Sequence, residues 1–335
     1  ITDHAEAMLD GWTGGDLRDV HLEMARVTVR IIVEAMFGAS LTHEQTRTVQ
    51  ENLEPLGRRF EPDPLRFLVP EWAPTRENRA YRASVAKLEG VLDDIVAERR
   101  GTERDPGIDD AAGDGLPMDL LSILLRARDE EGTDPRLRDE LMTMLLAGHD
   151  TTALTLTYTW YLLSEHPEVE ARVHRELEAV CGDDPPTAAD VRELDYLERV
   201  LNEAMRLYPP VYVVFREPQV DVRLGGYRIP EGSAVMLSQW VTHRSDRWYD
   251  DPERFDPDRW LPERRAERPR FAYFPFGGGP RHCIGKHLSL LEAKLILGTV
   301  AQEYELDYAR DRPFDLRGSL TMHPQEPMAM RVRSR

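Results

Sequence analysis

The segment Phe276-Gly277-Gly278-Gly279-Pro280-Arg281-His282-Cys283-Ile284-Gly285 gathers the residue types best able to do chemistry. Three glycines and a proline force an irregular, closely packed backbone just before a cysteine. A helical pattern follows, from about Ile284 to Glu303, so the cysteine stands where free N–H groups and the helix dipole favour a thiolate. Arg281 adds positive charge two residues away. Gly285 removes a side chain from the first turn, where a flat ligand can approach the backbone. The bland alternative is an inert cysteine buried in a glycine-rich turn. Zinc does not suit it, because no second cysteine or paired histidine stands at finger-like spacing.

Three further groups stand out. Ala147-Gly148-His149-Asp150-Thr151-Thr152 lies midway along the longest helical pattern, where Gly, Asp and Thr are poor choices on propensity. Such local conflict marks either function or a packing glycine with back-bonded threonines. Glu203 and Arg206 fall at i and i+3 of one helix, which alone suggests a surface ion pair. Arg216 sits in a short strand after Pro209-Pro210, an ordinary place for a solvated edge residue. Cys181 ends a helix before Gly182 and carries no role.

The elements that must hold these groups are mainly helical to about residue 207. Apolar spacing predicts helices over Leu17–Phe37 (stopped by Gly38), Arg79–Arg100, Asp134–Ser164, Glu168–Val180 and Asp195–Leu207. The Asp- and Gly-rich stretch 101–115 reads as a loop. Short strands are expected at Val211–Phe215, Val220–Leu224, Tyr227–Ile229 and Ala234–Leu237, and an irregular Pro- and Arg-rich stretch at Trp248–Pro275. The expected organisation is one domain over 1–335: a helical part to about 207, then small sheets and the cysteine loop over 208–335.

Composition narrows the class. A formal net charge of −18 argues against nucleic acid or anionic membrane as partner. No apolar run spans a bilayer, and two cysteines far apart suit a reducing, cytoplasmic setting. Only three of the 43 basic residues are lysine (Lys87, Lys286, Lys294), a bias that suggests a GC-rich bacterial genome.

The spacing Phe-x-x-Gly-x-Arg-x-Cys-x-Gly is met at Phe276, Gly279, Arg281, Cys283 and Gly285. It resembles the haem-binding signature of the cytochrome P-450 family. The resemblance implies that family's fold, mainly α with a small β portion, and a haem b whose proximal ligand is the Cys283 thiolate. Such a thiolate pushes electron density that favours O–O cleavage. It also implies haem propionates held by Arg216 and Arg281, and an oxygen groove at Ala147 and Gly148 in a locally opened helix. Asp150 and Thr151 are then an acid–alcohol pair that relays protons, with His149 beside the groove or in the proton network. A buried triad of Glu203, Arg206 and Arg254 is expected behind the haem. Met142, Leu146, Val211, Val213, Val214, Leu320 and Thr321 match positions that line the substrate pocket.

The function implied is a bacterial monooxygenase that hydroxylates or epoxidises an apolar small molecule of terpenoid, fatty acid or polyketide-like type. Electrons would come from NAD(P)H through a ferredoxin or flavin reductase, since no Gly-x-Gly-x-x-Gly fingerprint is present. That partner is expected on the cysteine side of a monomer, near Arg281, His282, Lys286, Arg264 and Arg265. A peroxide-using or rearranging haem-thiolate enzyme and a non-catalytic haem-binding protein are the alternatives. The family carries further helices before the point matched by Ile1, so an N-terminally incomplete domain with weak haem retention is expected.

Overall fold

The computed structural model describes residues 1–58, 61, 72–103, 119–126 and 135–335. Its elements in chain order are α1 (Thr2–Leu9), β1 (Leu17–Asp19), α2 (Val20–Phe37), α3 (His43–Arg58), α4 (Arg76–Glu103), α5 (Leu120–Arg126), α6 (Pro135–Glu165), α7 (Pro167–Cys181) and α8 (Asp195–Leu207). There follow β2 (Val213–Arg216), β3 (Val222–Leu224), β4 (Tyr227–Ile229), β5 (Val235–Ser238), α9 (Gln239–His243), α10 (Pro262–Ala266), α11 (Lys286–Glu303), β6 (Tyr304–Tyr308), β7 (Leu316–Gly318), β8 (Met322–Pro324) and β9 (Ala329–Ser334). The fold is mainly α with small antiparallel sheets, as expected.

Gly38 closes α2 in the left-handed conformation (φ 56°) with its N–H on the Glu34 carbonyl, the stop that its position predicts. The predicted 101–115 loop is helical over 101–103, and its remainder lies outside the described residues. β1 and β6 both flank β9, and β2 pairs with β5 from Val213↔Ser238 to Arg216↔Val235.

α6 serves two cores. Leu137, Leu141 and Leu145 in its first half pack with Val33 and Phe37 of α2 and Leu88 and Leu92 of α4. Ala153, Leu156 and Trp160 in its second half join Met24, Val27, Leu201, Ile296 and Leu297. Each such side chain contributes about 1.5–3 kcal/mol on full burial. The segment 147–152 therefore falls at the seam, held from both sides.

The acid at position 203 is fully buried, and its carboxylate accepts five hydrogen bonds. Two come from Arg206 (2.9 and 2.8 Å), one from Arg259 Nε (3.2 Å), one from Trp260 Nε1 (3.0 Å) and one from the Asp256 N–H (3.0 Å). The second basic member is thus Arg259, not Arg254. Arg254 is exposed and offers only its carbonyl, 3.1 Å from Arg206. The turn at 251–256 faces its backbone inward, where Arg206 also donates to the Pro252 carbonyl.

Arg259→Met should destabilise by about 3–5 kcal/mol, because it strips a buried partner from Glu203. Arg254→Met should stay within about 0.5 kcal/mol of the parent, as surface changes do. Urea unfolding of the two variants compares them directly.

Candidate active site

The cysteine loop is built on left-handed backbone. Gly277 (φ 70°) and Gly279 (φ 71°) take conformations that side chains disfavour. The Cys283 N–H returns to the Phe276 carbonyl at 2.9 Å, closing the loop. α11 begins at Lys286 with Gly285 as its N-cap, so Cys283 lies just ahead of the helix instead of within its first turn. The strand of chain entering the loop is tied back to the core: Arg206 donates to the His243 carbonyl (2.9 Å), and His243 Nε2 accepts from the Phe274 N–H (3.0 Å).

Cys283 is exposed and looks into a cavity of about 440 Å³. Phe276, Arg281, Arg216, Gly148, Ala147 and Thr151 share its wall. Among the described residues neither Arg216 nor Arg281 has a carboxylate partner. One soft sulfur donor, two unpaired guanidiniums and apolar walls fit a planar macrocycle that offers iron to the thiolate and carboxylates to the arginines.

α6 forms the opposite wall. A Cβ on Gly148 would lie 2.6 Å from Ile32 Cγ1, so glycine lets α2 approach here. Thr28 Oγ1 fixes that approach by donating to the His149 carbonyl (3.1 Å). The expected opening of the helix is not observed: α6 is helical throughout 147–152. The threonines return their hydroxyls to the turn below, Thr151 to Ala147 (2.9 Å) and Thr152 to Gly148 (3.3 Å).

Asp150 and Thr151 do not face one another. Successive helical residues are about 100° apart around the axis, and the two side chains enter different cavities. Thr151 faces Cys283. Asp150 faces a second cavity of about 520 Å³, where its Oδ2 accepts from Thr321 Oγ1 (2.7 Å) and lies 3.3 Å from His323 Nε2. Burial alone would raise the Asp150 pKa, but His323 outweighs it, with help from His149 and His21, and holds the carboxyl below its usual range. Burial pushes His21 down to about 4 against the pull of Asp150.

The seven expected pocket residues divide in the same way. Val211 and Val214 line the cysteine cavity, whereas Met142, Leu146, Leu320 and Thr321 line the second one. Val213 lines neither. Its neighbours in β2 alternate faces, so Val214 points in and Val213 does not.

Three residues have no counterpart in the motif reading. His21 and His323 join Asp150 from α2 and β8, and no sequence spacing connects positions so far apart. Glu292 in α11 is fully buried in the wall of the cysteine cavity, with neither carboxylate oxygen bonded. Burial raises its pKa well above the usual range. A glutamate inside the apolar run Leu288–Ile296 was the available signal. Above it, Thr152 Oγ1 and Ser289 Oγ join α6 to α11 at 3.0 Å.

Known proteins resemble the chain over most of its length. The sequence profile of the family described as Cytochrome P450 matches residues 6–330. Similar proteins include "Cyclooctatin synthase" of Streptomyces melanosporofaciens, 37% identical over 308 residues, covering 90% of this chain and 64% of that protein. "Pentalenene oxygenase" of Streptomyces avermitilis is 34% identical over 332 residues, covering 96% of this chain and 70% of that protein. "Cyclooctat-9-en-7-ol 5-monooxygenase" of Streptomyces melanosporofaciens is 34% identical, and 65% of it is covered. The chain thus spans about two thirds of these relatives' length. The "cytochrome P450DA heme domain" superposes with a TM-score of 0.83 at 31% identity, covering 100% of this chain and 72% of that one.

Gly148→Val should force α2 and α6 apart and destabilise by about 1–3 kcal/mol. The midpoint of urea unfolding, at unchanged slope, measures it.

Proposed function

The chain belongs to the cytochrome P450 family, and on that premise we propose that it is a haem-thiolate monooxygenase for an apolar, terpenoid-like small molecule. The observation that carries this reading is the exposed Cys283 sulfur, set across one cavity from Gly148 and Thr151 of α6. The substrate class rests on the relatives named for pentalenene and cyclooctat-9-en-7-ol, and on the apolar residues of both cavities. No helix among the described residues is long and apolar enough to cross a membrane.

Cys283 would hold the iron, and Arg216 and Arg281 would pair with the carboxylates and fix the ring's orientation. Bound haem would supply the activation of dioxygen, with electrons from NAD(P)H delivered by a ferredoxin or flavin reductase. The chain's own part is to bind, exclude and move protons. Val211 and Val214 keep water from the reacting face. Thr151 keeps a hydroxyl proton at the cavity edge, on the Ala147 carbonyl. Asp150 gathers protons on the outward face of the same turn, so its delivery to Thr151 needs a rotation of its side chain. Gly148, closed on its far side by Ile32, leaves the inner surface of α6 flat at that point.

The redox partner would meet the loop side, where Arg281, His282 and Lys286 are exposed on an acidic protein. Arg265 is also exposed, while Arg264 is tied to Asp256 at 3.0 Å.

The haem-loaded, reduced chain should give the red-shifted carbon-monoxide band of thiolate ligation, and Cys283→Ser should lose it with its helical circular dichroism intact. A reduced spectrum without that band overturns the reading. Product formation that needs NAD(P)H, ferredoxin and reductase, and is not reproduced by peroxide, separates a monooxygenase from the peroxide-using alternative. Thr151→Ala should lower product per NAD(P)H oxidised by tenfold or more, the scale of a lost proton-transfer group.

A further inference from the structure

We propose that His323 and the neighbouring Thr321 supply protons to Asp150, and that the transfer which loads Asp150 also frees it to turn inward. The purpose of this arm rests on the oxygenase reading, while its geometry does not. Thr321 Oγ1 donates to Asp150 Oδ2 at 2.7 Å. A hydroxyl has one proton, so toward His323 the same oxygen can only accept. His323 Nε2, 2.8 Å away, therefore carries a hydrogen and directs it at Thr321. The donors run one way, from imidazole to hydroxyl to carboxylate, and all three residues line the second cavity.

Three histidines act on Asp150, and His323 is the one suited to feed it. His149 of α6 is fully buried, its Nδ1 donates to the Leu145 carbonyl at 2.6 Å, and burial lowers its pKa. His21 of α2 lies 3.3 Å from Thr157 Oγ1, and burial pushes it down to about 4. Both rings are thereby kept neutral near pH 7. His323 is partly exposed, and among the described residues no protein group meets its Nδ1, which is left for water. The His21 ring meets it edge to face, with centroids 5.5 Å apart. Arg317 stands opposite His323 across the β7–β8 pair and adds a fixed positive charge on that side.

The transfer balances on two bonds broken and two formed. The Nε2–H bond of protonated His323 breaks as an O–H bond forms on Thr321. The former Thr321 proton passes to Asp150 Oδ2. Imidazolium and carboxylate become neutral imidazole and neutral acid, and water in the cavity recharges the ring. Burial raises the Asp150 pKa, but His323 outweighs it and favours the ionised, outward carboxylate. Transfer cancels that ionic attraction, across 3.3 Å, and leaves only hydrogen bonding through Thr321. An ionised Asp150 is thus held outward, and a loaded one is released toward Thr151. His323 acts through Asp150, so it is a positioning residue and not a catalytic one.

The test begins with the parent chain, haem-loaded, reduced and under carbon monoxide. Nitrogen-15 NMR of its labelled histidines should show neutral His323 with hydrogen on Nε2, and a bare Nε2 overturns the relay. His323→Gln keeps an N–H for Thr321 but carries no proton. In it, carbon-13 NMR of labelled aspartate, assigned with Asp150→Asn, should show Asp150 binding its proton about tenfold more tightly or better. An unchanged Asp150 titration refutes the proposal. Product per NAD(P)H oxidised should fall about tenfold or more in His323→Gln and in Thr321→Val. Thr321→Ser, which keeps the hydroxyl, should recover most of that loss. Added imidazole should restore His323→Gly and leave Thr321→Val unrestored. A loss in His323→Gly that imidazole does not repair assigns the histidine to structure alone and sinks the relay. If the chain gives no thiolate band, the oxygenase reading fails, while the two NMR measurements still decide whether His323 governs Asp150.

Discussion

The arrangement of this protein depends on one buried carboxylate. Glu203 would be costly to bury alone, and it is tolerated because five donors converge on it from α8 and from the chain between 256 and 260. Arg206, fully buried beside it, spends its remaining donors on the carbonyls of His243, Pro252 and Arg254. An irregular stretch with little regular secondary structure is thereby given a fixed path. From His243 the path continues to the Phe274 N–H, and from Phe276 to the Cys283 N–H. The sulfur that carries the chemistry is located by a relay of hydrogen bonds that starts more than 75 residues earlier in the chain.

The second constraint is α6, which cannot shift along its axis without disturbing both cores it joins. Its centre combines a glycine chosen for contact with Ile32, threonines folded back on their own helix, and an acid facing outward. Packing and chemistry share these residues. Glycine admits α2 on one side of the helix and leaves a bare surface opposite the cysteine. The rotation between Asp150 and Thr151 divides acid from alcohol, so Asp150 lines the cavity with the histidines and Thr151 the cavity with the thiol.

What could be read from sequence follows from the range of each signal. Helical periodicity is local, and it placed α6, α7 and α8 to within a residue or two of their observed ends; the strands β3, β4 and β5 were marked by their turns. The family resemblance singled out Cys283, Arg216, Arg281 and Gly148, and the four line one cavity. The second arginine beside Glu203 was misassigned, because Arg254 and Arg259 lie in one segment and only the fold of the 251–260 turn decides which guanidinium enters. The facing of Asp150 was equally hidden, since a pair named by adjacency in sequence is separated by the helix itself. Leu320 and Thr321 were placed in the pocket but border its neighbour, and His21 and His323 meet Asp150 across most of the chain's length. Contacts of that separation leave no periodic trace.

The sheet that closes the molecule has a consequence for how it is made. Leu17, Arg18 and Asp19 pair with Arg331, Met330 and Ala329, and the same strand pairs with Tyr304–Tyr308. As the chain leaves the ribosome, β1 emerges well before β9, the strand that pairs with it. The backbone donors of β1 wait through the synthesis of the helices from α2 to α11, and loop closure over that span comes late. β9 therefore acts as the clasp between β1 and β6, and its loss would be felt at β1, far from it in sequence.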